Sequence, residues 1–434
     1  MSTSTDTQLV VPFPKVRTRN IPYEKRYDRL KAYDALILDA HLRQSLVTVR
    51  SLGRRGLHVA ALEMESKAAH LPTFASRWCQ ESFVAPSYEQ VPDRYATYLQ
   101  HLLDTTNIRV LIASSDGTLD ILRRYREQLE QRASIAIASE SALNIAINKD
   151  RTLALAKALQ IDVPAGVQIE SVNDVPAALR EVGLPAVVKP ARSWVWGEQE
   201  SARLECKLVT TPDEARGAVE CALHLGKTVI IQQFLSGRCE AVNLLYAGGD
   251  FYARFAQWAR RVQPPLGGTS VFRQSIAVPE DIGERAERLV RAVDLEGYSE
   301  VEFRRDATGK PYLMEINPRL SASIELAVRS GVDFPRLIFQ WASGEPIDRI
   351  TDYHVGGWMR YLQGDLLTTL QCISQRGRPG VTSPARAIGD FLASFLIPAH
   401  YDYFDWQDLK PGLRATIDFG RVVARRLRKS LFRK

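Results

Sequence analysis

The chain has 434 residues, 45% of them hydrophobic and 25% charged, with a net charge of +7. That is a soluble, globular composition with enough apolar material for two or three domains, and no uncharged run approaches the roughly 18 residues of a membrane span. The charge excludes a general nucleic-acid binder: Arg421, Arg425, Arg426, Arg428, Lys429, Arg433 and Lys434 follow Gly420 with no acid among them, and without these seven the 57 basic residues fall to 50, equal to the 50 acids.

Residues 1–30 are polar, contain proline and lack periodicity, so they read as a flexible arm. From Tyr33 the pattern becomes strand, helix, strand: ALILDA (35–40), an amphipathic helix ending at Gly56, then HVAALE (58–63). VLIASS (110–115), a helix over 118–132 and SIAIAS (134–139) complete the unit. Such alternation predicts a parallel sheet with right-handed crossovers, and the turn DAHLRQS after the first strand lacks the glycine pattern of a dinucleotide site.

A second unit starts near Ala142 with a helix through INKDRTLALAKALQ, followed by VPAGVQI, a further helix and the strand PAVVKPA (185–191). KLVTT, a helix over 212–226 and VIIQQFL (229–235) come next. The segment 240–260 reads as a hairpin turning at Gly248 and Gly249. In RVQPPLGGTS, either a flexible site loop with Arg260 or Arg261 holding a carboxylate, or a plain surface turn, fits the residues. After about 350 the chain holds amphipathic pieces broken by RGRPG and Pro398. In the tail, Ile417, Val423, Leu427 and Leu431 recur at helical spacing between basic residues, which suits either peripheral contact with an anionic membrane or a solvated helix packed on the body. The five cysteines are dispersed with no C-x-x-C pair, and MSTSTDTQ has no secretory pattern, so a cytoplasmic protein is expected.

The stretch VEFRRDATGKPYLMEINPR (301–319) carries the chemistry. It predicts strands over Ser299–Arg304 and Pro311–Ile316 joined by a turn of Asp306, Ala307, Thr308 and Gly309. Side chains alternate across a strand, so Glu302 stands out of phase with Val301 and Phe303, and Glu315 and Asn317 share a face. Two carboxylates and an amide on one face suit one or two hard cations bridging phosphate oxygens, and Arg319 follows at once to meet an anion. Any one of these acids alone would fit an ordinary surface hairpin. Upstream, Lys189 sits in the apolar strand AVVKPA, where a desolvated ammonium needs an anionic partner unless it reaches water at the strand end. Lys149 lies at a helix boundary, and Gln232, Gln233, Phe234 and Leu235 form a strand end that can offer main-chain groups to a purine edge.

Taken together, these residues resemble the ATP-grasp superfamily over about 142–345, in particular its carbamoyl-phosphate-synthase-like branch and the stand-alone carboxylate-amine ligases. The resemblance implies a mixed α/β and α+β architecture: a Rossmann-like domain over 31–141, a two-lobed ATP-grasp domain over 142–350 with its lid at about 155–230, and a mainly helical extension over 351–434 with a basic amphipathic tail. It implies that Lys149 and Lys189 touch phosphates, that Gln232 to Leu235 meet adenine and that Glu240 lies near the ribose. It further implies that Glu302, Glu315 and Asn317 hold Mg²⁺ (or Mn²⁺), and that Arg319, with Lys189, acts on the reacting phosphate. The implied activity is an ATP-dependent carboxylate-amine or carboxylate-thiol ligase with an acyl-phosphate intermediate, releasing ADP and phosphate. Its partners would be small carboxylates and amines, with no nucleic acid. A carboxyphosphate or phosphotransfer enzyme and a nucleotide-binding regulator are the alternatives. The chain departs from the family pattern in the lid, where ARSWVWGEQES has Gly197 alone in place of a glycine-rich loop and carries Trp194 and Trp196.

Overall fold

A computed structural model of the protein describes residues 31–191, 194–195, 202–203, 206–225 and 228–431. The arm over 1–30, Trp196 and Gly197 lie outside the described residues. The chain opens with β1 (Ala32–Ile37), α1 (Arg43–Arg54), β2 (Val59–Met64), β3 (Glu81–Ala85), α2 (Pro92–Thr105), β4 (Asn107–Ile112), α3 (Asp116–Arg124), α4 (Arg126–Glu130) and β5 (Ser134–Ile135). The five strands are all parallel in the order β3-β2-β1-β4-β5. Both faces of this sheet are covered, so Ala35, Leu36, Ile37 and Leu38 are all fully buried, as a parallel strand flanked by helices requires. The sequence misses β3 and α2, and the helix expected over 118–132 is two helices meeting at Tyr125.

Two short helices, α5 (Glu140–Ala146) and α6 (Lys149–Ala158), lead into a four-stranded antiparallel sheet. Asn148 caps α6 by accepting from the backbone N–H groups of Asp150 and Arg151 at 3.0 and 3.2 Å. The sheet contains β6 (Gly166–Ile169), β7 (Ala186–Pro190), β10 (Lys207–Val209) and β11 (Val229–Gln233) in the order β10-β7-β11-β6, beside a two-stranded ribbon of β8 (Trp194–Val195) and β9 (Ala202–Arg203). Helices α7 (Val175–Val182) and α8 (Pro212–Leu225) cover it, and their apolar residues form a core separate from the rest of the molecule.

The largest sheet has seven strands in the order β16-β15-β12-β13-β14-β17-β18. These are β12 (Cys239–Ala247), β13 (Asp250–Gln263), β14 (Thr269–Ile276), β15 (Gly297–Arg305), β16 (Pro311–Asn317), β17 (Trp358–Arg360) and β18 (His400–Tyr401). Helix α9 (Glu280–Ala292) packs on β12 and β15, α10 (Ile324–Arg329) follows the hairpin, and α11 (Phe334–Ser343) packs on α1. Helices α12 (Leu362–Ser374), α13 (Pro384–Ala393) and α14 (Leu409–Leu431) form the C-terminal part. In that part β17 and β18 extend the large sheet beside the three helices, and β14 and α9 were not foreseen. One apolar core runs from the N-terminal sheet into β12, β15 and β16, which locks these two parts together. No helix among the described residues is long and apolar enough to cross a membrane.

Candidate functional site

The hairpin of β15 and β16 buries Val301, Phe303, Leu313 and Ile316 on one side, each worth roughly 1.5–3 kcal/mol, and this fixes which residues face the other way. Glu302 pairs directly with Glu315, and Glu300 with Asn317. The register slips between Glu302 and Phe303, and such a bulge re-aims the side chains beside it. Asn317 donates from Nδ2 to Glu302 Oε1 at 3.0 Å and to Glu315 Oε1 at 3.4 Å. The amide bridges the carboxylate pair.

Two other parts of the chain converge on this face. Lys149 heads α6 with its Nζ 3.6 Å from Glu315 Oε2, and its backbone N–H donates to the carbonyl of Ala191 at 3.1 Å, which ties it to the end of the strand carrying Lys189. Both lysines are buried. On the other side, Arg319 forks onto Asp116 at the start of α3, with Nε 2.5 Å from Oδ1 and Nη2 3.2 Å from Oδ2, and also donates to Asn317 Oδ1 at 3.3 Å. A cleft open to solvent at its mouth is lined by Asp116, Lys149, Trp194, Glu315 and Asn317. Trp194 packs at 5.5 Å on the ring of Tyr88, so it forms a wall of that cleft.

The electrostatics are those of a site short of positive charge. Burial pushes Glu302 well above the ordinary carboxylate range, and the charges of Glu315 and Glu300 push it further. Burial raises Glu300 as well. Glu315 goes the other way: burial would raise it, but the ammonium groups of Lys149 and Lys189 outweigh that and hold it low. Burial lowers the Lys189 ammonium, and Lys149 adds to the lowering. Burial also works against the Arg319 charge, but Asp116 outweighs it and the guanidinium stays protonated.

Among the described residues no group of three or more His, Cys, Asp or Glu side chains is placed to hold a metal by itself. A carboxylate pair with an amide is nevertheless the donor set that fits Mg²⁺, which takes hard oxygen ligands, binds through one or two protein carboxylates and completes its shell with waters and nucleotide phosphates. A cation there would also offset the carboxylate crowding that pushes Glu302 upward.

The structure therefore gathers Lys149, Lys189, Glu302, Glu315, Asn317 and Arg319. Gln232 and Leu235 are buried at the end of β11, where the chain passes Arg305 so closely that a Cβ on Gly237 would sit 2.3 Å from the Arg305 carbonyl oxygen. Gln233 donates its N–H to the Ala165 carbonyl at 2.8 Å, and Phe234 lies under the Arg304 guanidinium at 5.1 Å. Glu240 stands apart. It pairs with Phe303 and so lies on the face opposite Glu302, bonded to Arg305 at 2.7 Å and beside Arg238 at 3.3 Å. Arg261 is likewise committed elsewhere, forked onto Asp365 at 2.6 Å through both nitrogens, while Arg260 is exposed. Sequence reasoning missed Glu300 and Asp116. The signal for Glu300 was its two-residue spacing from Glu302; for Asp116 nothing local marked it.

A family model described as ATP-grasp in the biosynthetic pathway with Ter operon matches residues 227–363. A D-alanine–D-alanine ligase of Gloeobacter violaceus is 28% identical over 190 residues, covering 39% of this chain and 58% of the ligase. One of Geobacter sulfurreducens is 30% identical over 176 residues, covering 36% and 51%. The chain thus spans little more than half the length of these curated relatives. Among solved structures, the biotin carboxylase–β,γ-ATP complex from Campylobacter jejuni superposes with a TM-score of 0.60 at 13% identity, covering 75% of this chain and 74% of the other. The L-amino acid ligase of Bacillus licheniformis gives 0.57 at 17% identity, covering 73% and 76%. The fold is shared with these enzymes. Residues 227–363 thus resemble the ATP-grasp family, and the curated ligases resemble this chain over a little more than half of their own length.

Proposed function

We propose that the protein is an ATP-dependent ligase that activates a small carboxylate as its acyl phosphate and passes it to an amine, with release of ADP and phosphate. The observation that carries this reading is the Glu302–Glu315 pair, bridged by Asn317 and faced by Lys149. In it, residues 31–141 form the Rossmann-like domain and the separate core of the four-stranded sheet marks the lid. Glu302, Glu315 and Asn317 would hold Mg²⁺, which when bound neutralises charge on the transferring phosphoryl group. Lys149 and Lys189 contact the phosphates; burial leaves each with little water to satisfy its charge, so an anion is the partner they favour. Arg319 meets the γ-phosphate through the edge that Asp116 leaves open, and Asp116 fixes its plane. Gln232 to Leu235 receive the adenine, while Glu240, on the opposite face and paired with Arg305 and Arg238, is not assigned the ribose.

No side chain has to become covalently attached to substrate, because the phosphate activates the carboxylate and the amine displaces it. The D-alanine–D-alanine ligase relatives support an amino acid as one substrate class. The enzyme would work in the cytoplasm, with its basic tail in contact with the inner face of the membrane. ADP release screened against amino acids and other carboxylates, with hydroxylamine as a trapping nucleophile, tests the ligase reading. A hydroxamate formed with one carboxylate class supports it, whereas nucleotide binding without turnover against any acceptor favours a regulator.

A further inference from the structure

Of the 14 large hydrophobic side chains that stand exposed among the described residues, 11 lie between Leu370 and Ile417. They are patterned. Leu409, Leu413 and Ile417 recur every four residues along α14 and are all exposed, while Pro411 and Ala415 on the opposite side are buried against the body. Helix α13 shows the same spacing in Ile388, Leu392 and Leu396, the last 86% exposed in the turn that follows the helix, with Phe395 beside it. Between the two helices Trp406 is 80% exposed.

The Trp406 loop is fixed from below. Asp408 accepts from Arg50 Nε at 3.0 Å and from Ser76 Oγ at 2.6 Å, Asp405 meets Arg54 and Arg329, and the Phe404 ring packs 4.6 Å from the indole. A bulky indole held out on an anchored backbone is costly in water and suits a boundary between apolar and polar phases. Lys410 and Arg414 lie one residue beyond the first two α14 stripe positions, Arg414 beside His70 at 2.8 Å; the third such position is Asp418, paired with Arg421 at 3.2 Å, and the sequence after Arg421 adds six more basic residues with no acid. This arrangement of an apolar stripe bordered by basic side chains is that of a helix lying on an anionic lipid surface.

We propose that the face formed by α13 and its following turn, Trp406 and the outer stripe of α14 docks on an anionic lipid bilayer, which rests on the reading of the basic tail as a membrane contact and not on the ligase chemistry. The tail supplies attraction to the headgroups, and Leu396, Trp406 and Leu413 enter the boundary of the acyl chains. A second copy of the chain is disfavoured as the occupant, because a two-fold pairing would bring two sets of these basic residues together.

The test is sedimentation of the full-length protein with vesicles of phosphatidylglycerol and phosphatidylethanolamine, against phosphatidylcholine alone. The parent should pellet with the anionic vesicles and not with the zwitterionic ones. Leu396→Asp combined with Trp406→Ser changes only exposed side chains and leaves the tail intact, and should lower the bound fraction at least tenfold. Arg425→Gln, Arg426→Gln and Arg428→Gln together should weaken binding most at low salt. Brominated acyl chains should quench tryptophan emission in the parent and lose that effect in Trp406→Phe. Absence of vesicle binding by the parent overturns the proposal together with the tail reading. Parental binding by the Leu396→Asp, Trp406→Ser variant overturns it while the tail alone stands. A dimer in light scattering that the same substitutions dissociate, without vesicle binding, assigns the face to a second copy and overturns it as well. ADP formation measured in parallel reports on the ligase reading separately.

Discussion

At the scale of single residues, the site is built on repulsion. Three glutamates, Glu300, Glu302 and Glu315, share one face of neighbouring strands, and burial and the charges of the other two push Glu302 well above the ordinary carboxylate range. Glu315→Gln keeps the shape but removes a charge that a bound cation needs, so hydroxamate formation should fall on the order of 10²- to 10³-fold while nucleotide binding changes only a few-fold. Equilibrium binding of a fluorescent ATP analogue beside the trapping assay separates the two; unchanged trapping would make the acid pair a feature of the hairpin alone. Arg319→Lys should be comparably severe, because a single ammonium cannot hold Asp116 in two places and still offer a planar edge to phosphate. Its readout is kcat in the same assay, with circular dichroism to confirm that the fold survives. The alternation of the hairpin made Glu302, Glu315 and Asn317 visible in the sequence. Asp116 was not visible, because the contact with Arg319 joins residues 203 positions apart and depends on how two sheets pack.

At the scale of elements, the legible parts were those with strong periodicity and clear turn residues. Strands β1, β2 and β4 each contain a short apolar run, and the Gly248–Gly249 turn between β12 and β13 lies where the sequence puts it, both glycines taking positive φ. The prolines and glycines of PPLGG made 261–270 read as a loop, whereas β13 and β14 continue almost to its tip. Strand β17 has three residues, too few for any period. Contacts between distant elements were also hidden, and one of them bears on function. The loop between α12 and α13 sends Arg378 to the Leu208 carbonyl at 2.9 Å and to Glu214 Oε2 at 3.1 Å, so the C-terminal part grips the four-stranded sheet, which has its own core and few other ties. Arg378→Ala should loosen that sheet without unfolding it. We expect faster hydrogen exchange in β10 and α8 and a several-fold rise in KM for ATP, with the melting temperature shifted by a degree or two. Parental exchange in those two elements would show that the grip is incidental.

At the scale of the whole molecule, the N-terminal and C-terminal parts are strapped together by two matching ladders of charge. Helix α1 carries Arg43, Arg50 and Arg54, and the segment before α14 carries Asp402, Asp405 and Asp408. Arg43 and Arg273 meet Asp402 at 3.2 and 2.6 Å, Arg54 and Arg329 meet Asp405, and Arg50 meets Asp408 at 3.0 Å. Asp402 ties α1 to β14 as well, so it joins three parts of the chain at one buried carboxylate. Burial alone would raise its pKa, but Arg273 and Arg43 outweigh the burial and hold it below the ordinary value. A carboxylate whose pKa is lower folded than unfolded stabilises the protein above its unfolded pKa of about 3.9, and that contribution is lost as pH falls through the folded value. Asp402→Asn leaves two buried guanidinium groups without their counter-charge, a loss of about 3–5 kcal/mol at neutral pH. Urea unfolding followed by circular dichroism should therefore show a large gap between parent and variant at pH 7, constant down to about pH 5, then closing below about pH 4 as the parent's own carboxylate takes up its proton. A gap that stays fully open at pH 3 would mean that Asp402 acts through its shape and hydrogen bonds and not through its charge, and a gap absent at pH 7 would mean that the strap does not hold the two ends of the molecule together.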